Sequence, residues 1–173
     1  MIRRRKRDPD MLRSVLAATA ALVVVSAPAI AAPAHEKPAE KMIWHIQDSE
    51  DTAALVYGVP DSDKAAIFFL CQKDGSAITV QSMIGSKDLT RGAQTAIVLS
   101  TGSMKKSYPG KAVAMEEGDA VNVEAPAQMT DVKALTKASG TLTIEVKGAK
   151  QAISLSGIGP AITKFETACK PKS

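Results

Sequence analysis

The chain has 173 residues, with 22 Lys+Arg against 18 Asp+Glu and a formal net charge of +4. Six of the 22 cations and two of the 18 acids fall in residues 1–31, so 16 of each remain and the rest of the chain is neutral. That balance excludes a sequence-independent nucleic-acid surface, which needs clustered positive charge; two histidines, one Trp and two Tyr leave little material for a His-centred active site or a stacking platform.

Residues 1–31 read as a signal peptide. A basic stretch (Arg3, Arg4, Arg5, Lys6, Arg7, then Arg13) precedes an apolar run from Val15 to Val25, and Ala29-Ile30-Ala31 supplies the small residues of a cleavage site. The run is short for a membrane span of about 20 residues and is interrupted by Pro28, so no stable membrane insertion is expected after cleavage. No Cys follows the site to carry a lipid anchor, and Met11 is a second candidate start. Residues 32–41 are Ala, Pro, Glu and Lys with one His, His35, and are expected to be a flexible lead-in.

Residues 42–173 then read as a single β-rich domain. Short apolar runs separated by turn residues predict a mainly β fold, an antiparallel β-sandwich or partly closed barrel of about 8–9 strands. Ile43 to Ile46 and Ala54 to Val59 form a leading pair. Ala65 to Cys71 is apolar on both faces and predicts a central strand buried on both sides or under a helix. Asp74-Gly75 signals a type I′ hairpin, with Ser76 to Ile84 returning and Ile78 and Val80 inward. The stretch Lys105, Lys106 and Tyr108 reads as a solvated loop after a strand at Thr95 to Thr101.

A second hairpin joins Lys111–Met115 to Ala120–Glu124 through Glu116-Glu117-Gly118-Asp119, with Val113, Met115, Val121 and Val123 inward. A third puts Leu142, Ile144 and Val146 inward, turns at Gly148-Ala149 and returns with Ile153 and Leu155. Two helices complete the pattern. A short one near 131–138 is capped by Thr130 and stopped by Gly140. A C-terminal one near 160–169 starts at Pro160 and aligns Ala161, Ile162, Phe165 and Cys169 on one face. Cys71 and Cys169, the only cysteines in an exported chain, are expected to form a disulfide that staples this helix to the central strand.

The closing segment Leu155-Ser156-Gly157-Ile158-Gly159-Pro160-Ala161-Ile162 through Phe165 to Cys169, with Phe68 to Cys71, resembles small uncharacterised periplasmic proteins of proteobacteria. The strand-with-Cys pattern is similar to periplasmic accessory proteins of the VasI type, associated with type VI secretion. The resemblance implies a periplasmic location and carries no functional residue.

Candidate chemistry is sparse. A hydrolase would have to centre on His45, with Asp48, Glu50 or Asp51 orienting it, and no Gly-x-Ser-x-Gly elbow supplies a nucleophile. Acidic pairs for a glycosidase, Asp61 with Asp63 and Glu116 with Glu117, fall in turns where acids serve solubility. Soft ligands for copper would be Met42 and His45, with Met83, Met104, Met115 and Met129 further along; Met83 and Met115 also suit strand faces as core. Gly157-Ile158-Gly159-Pro160 lacks a P-loop Lys and serves as a loop entering a helix. Trp44 is read as a core plug.

The leading expectation is therefore a non-catalytic, cofactor-free periplasmic binding or adaptor domain that contacts another protein of the cell envelope through sheet edges or loops. The alternatives are a periplasmic copper or small-ligand binder and, last, a hydrolase centred on His45.

Overall fold

The computed structural model describes residues 40–85, 88–102, 104–115 and 121–170. Residues 1–39, which hold the expected signal peptide and most of the expected lead-in, and the expected turn at Glu116–Asp119 lie outside the described residues, which belong to a unit spanning Lys37–Ser173.

Among the described residues nine strands make one antiparallel sheet: β1 (Ile43–Asp48), β2 (Thr52–Gly58), β3 (Ala65–Gln72), β4 (Ile78–Ser82), β5 (Gln94–Thr101), β6 (Met104–Ala114), β7 (Val121–Ala127), β8 (Thr141–Val146) and β9 (Ala149–Ser154). Their spatial order is β1-β2-β3-β4-β7-β6-β5-β8-β9. The order β7-β6-β5-β8 is a Greek key, three hairpin-connected strands with the fourth returning beside the first. Helix α1 (Met129–Ala134) and a 3₁₀ turn (Leu135–Lys137) make that return, and helix α2 (Ile158–Ala168) follows β9. The sheet stays unclosed and fits a partly open barrel, the mainly β architecture expected from the sequence.

The sheet curls because its inner face is apolar from one end to the other. Trp44 and Leu55 at one end, Phe69, Val80, Val123, Ile97 and Leu99 across the middle, and Ile144 and Ile153 at the other end share one buried cluster with Ile162 and Phe165 of α2. Along each strand these residues alternate with outward neighbours, as a period of two requires. On the outer face of β4 and β7, Asn122 Nδ2 donates to Gln81 Oε1 and Gln81 Nε2 donates to Glu124 Oε2, each at 3.1 Å. Gly110 lets β6 approach β7 closely, since a Cβ there would lie 2.1 Å from the Glu124 carbonyl oxygen.

Several local expectations shift. The segment around Lys106 and Tyr108 is the middle of an eleven-residue strand, β6, and Tyr108 is only 3 % exposed. Ala112, opposite Val123, faces inward in place of Val113, while Met115 lies past the strand end and is 36 % exposed. At Asp74-Gly75 only Gly75 has positive φ (76°), and Asp74 Oδ1 instead accepts from the Ser76 amide, giving a longer loop than a I′ turn. The two-residue turn with positive φ at both positions occurs at Lys147 (47°) and Gly148 (84°), one residue before its expected place, with Val146 paired to Ala149.

Helix α1 starts after Gln128, whose amide donates to Asp131 Oδ2, so Thr130 is not the cap. Helix α2 starts at Ile158 after Gly157 (φ 80°), and Pro160 sits within its first turn, where a missing N–H costs nothing. β3 is central, with Ile67, Phe69 and Cys71 buried, but Phe68 and Leu70 on the outer face are half-buried.

Candidate functional site

The two edges of the open sheet differ in how they are guarded. β9 presents exposed Lys150 and Gln151, and Lys150 pairs with Glu145 of β8, the kind of charged margin that discourages another strand from adding. β1 reads Ile-Trp-His-Ile-Gln before Asp48 and has no Lys, Arg, Asp or Glu among its first five residues. Its Ile43 is 40 % exposed.

Which backbone groups of β1 are free follows from the hairpin. The Ser49 amide bonds the Thr52 carbonyl at 2.9 Å, so the hydrogen-bonded pairs with β2 recur at every second residue back from it: Gln47, His45 and Ile43. The amides and carbonyls of Trp44, Ile46 and Asp48 consequently point away from β2, along the open edge. A cleft of about 310 Å³ lies beside the first two, lined by Trp44, His45, Ile46, Gly157, Pro160, Ala161 and Lys164. Its volume is at the bottom of the range for small-molecule pockets and suits one or two side chains of an added segment.

Three contacts hold this edge in place. Trp44 is 6 % exposed, as a core plug should be, and its ring lies 5.2 Å from that of Tyr57. Trp44 Nε1 donates to the Ser154 carbonyl of β9 at 2.7 Å, linking the two edges at one point. Helix α2 packs on β1 and β2 and is tied to β3 by the Cys71–Cys169 disulfide, with Cα atoms 5.9 Å apart, the pairing expected from the sequence. One wall of the cleft is therefore a strand pinned at Trp44, and the other a helix fixed covalently at its far end.

His45 lines the cleft, and its Nδ1 lies 3.2 Å from the Ile43 carbonyl. A carbonyl cannot donate, so Nδ1 carries the proton. Nε2 is enclosed without a hydrogen-bond partner. Asp48 pairs instead with Lys73 at 2.6 Å, and among the described residues no carboxylate bonds His45. Met42 packs on the core, as do Met104 and Met129. Among the described residues no group of three or more His, Cys, Asp or Glu is placed to hold a metal ion. Asp61 and Asp63 are exposed in the β2–β3 loop, Asp61 with positive φ (58°).

A second polar group is built from residues that read as a loop in the sequence. Lys106 pairs with Asp131 of α1 and lies 5.4 Å from the centroid of the Tyr108 ring. Burial, with the Asp131 carboxylate adding to it, raises the Tyr108 phenol well above its ordinary value of 10.0. These residues tie α1 to β6. Their only sequence signal is the spacing of Lys106 and Tyr108, which puts both on one strand face.

No family model matches the chain, and no curated protein or solved structure matches it. Among the described residues no helix is long and apolar enough to cross a membrane.

Proposed function

We propose that this is an exported, non-catalytic binding domain of the periplasm that engages another envelope protein by adding a segment of it to the open edge of β1. The observation that supports it is the row of backbone groups of Trp44, Ile46 and Asp48 turned away from β2, the first two of them beside a cleft. Strand addition uses such groups for affinity and flanking pockets for selectivity. Export rests on the leader-like residues 1–31 and on a disulfide of the kind that persists in oxidising compartments.

The test is site-specific photo-crosslinking in living cells followed by mass spectrometry, with the photoreactive side chain at Gln47 of β1 or, as control, at Gln151 of β9. A partner captured from Gln47, lost in Ile46→Pro and absent from Gln151, is the expected result. Ile46→Pro removes an edge amide that makes no bond to β2, and a melting curve confirms that the variant still folds. Equal capture from both edges, or none from Gln47 in a folded protein, rejects the reading.

A further inference from the structure

The charge of the cleft narrows what the added segment must carry, on the premise that β1 is the binding edge. Lys164 is the only Lys, Arg, Asp or Glu in the lining, it is exposed, and no carboxylate of the described chain pairs with it. Two other lysines are engaged: Lys133 of α1 is 2.7 Å from Glu166 of α2, and the largely buried Lys73 is held by Asp48 at the far end of β1. The acids that could neutralise the cleft from β1 or α2 are thus already engaged elsewhere. The rest of the lining is apolar or uncharged, with Trp44, Ile46, Pro160 and Ala161 forming its walls.

An extended segment lying along Trp44 to Asp48 would turn every second side chain toward the face on which Trp44 and Ile46 lie and α2 packs. There it meets apolar wall and one unpaired ammonium. We infer that the partner segment is an extended stretch that alternates apolar side chains with at least one carboxylate, which Lys164 receives. The segment's backbone supplies the pairing with β1, and the carboxylate sets which segments are accepted, because a lysine or arginine at that position would face Lys164 directly.

The test uses two fluorescein-labelled octapeptides, one alternating Val with Glu and the other alternating Val with Lys, titrated against the mature domain at low salt with anisotropy as readout. The Val/Glu peptide is expected to bind more tightly than the Val/Lys peptide, and Lys164→Glu to reverse that order. An exposed pair of this kind changes affinity about two- to fivefold, and the difference should shrink as salt is added. Lys164 is exposed on α2, so the variant keeps the fold. Equal affinity for both peptides in parent and variant overturns the inference about charge while leaving β1 as the edge. Binding of neither peptide also overturns it, and the Gln47 crosslinking result then decides separately whether the edge itself is used.

Discussion

Trp44 shows how one side chain does two jobs. Its ring fills core between β2 and α2, and its indole N–H joins the two sheet edges through the Ser154 carbonyl. Trp44→Phe keeps most of the apolar burial and leaves that carbonyl without its donor, so it should lower stability by about 1–2 kcal/mol in a urea titration. Tyr108 gives a pH signature. Its phenol is held neutral by burial and by the Asp131 carboxylate, so its folded pKa lies above the unfolded value of 10.0. The stabilisation is complete below pH 10 and falls away as pH rises, because the unfolded chain releases the proton first. Denaturation midpoints between pH 9 and 11 should therefore drop in the parent and drop less in Tyr108→Phe. The role of Trp44 was legible from its position at the start of the fold. That of Tyr108 was not, since Lys-Lys-Ser-Tyr-Pro-Gly has loop composition and becomes a strand only through pairing with β5 and β7.

At the scale of elements, the third hairpin was legible in full alternation because Leu142, Ile144 and Val146 pack on one face and Thr143 and Glu145 on the other. Its turn slipped by one residue, since Lys147 adopts the positive φ that composition assigns to Gly148 and its successor. In β6–β7 the same kind of slip exchanged Val113 for Ala112 on the inner face, because pairing with a period of two turns any one-residue error into a change of face. Gly110 is the element-level feature that periodicity could not reveal, as its role is the approach of another strand's backbone. Gly110→Ala should destabilise the domain by about 1–3 kcal/mol, measured by thermal unfolding, whereas Gly92→Ala, with open space around it, should show only the cost of its positive φ. The start of α2 moved to Ile158 because the left-handed Gly157 turns the chain into the helix before Pro160 is reached.

For the whole molecule, the disulfide spans 98 residues of sequence and joins the C-terminal helix to β3, an interior strand third from the β1 edge. Its removal in a Cys71→Ser, Cys169→Ser variant should cost about 2–5 kcal/mol and loosen α2, the second wall of the cleft, before the sheet itself melts. The strand content, the pairing of the cysteines and the two helices were legible because each has a local signature in composition or period. The open edge was not, since strand order across a Greek key depends on which hairpins meet in space. For the same reason β1 could be read as a strand and not as an unpaired margin beside Lys164.

The central claim is that β1 takes up an added strand, and residue-resolved amide hydrogen exchange on the domain, alone and with the partner segment captured from Gln47, tests it most directly. In the isolated domain Ile43, His45 and Gln47 should be protected and Trp44, Ile46 and Asp48 should exchange faster; with the segment bound, those three should become protected too. Protection that appears along β9, or a β1 pattern unchanged by the partner, would contradict the account.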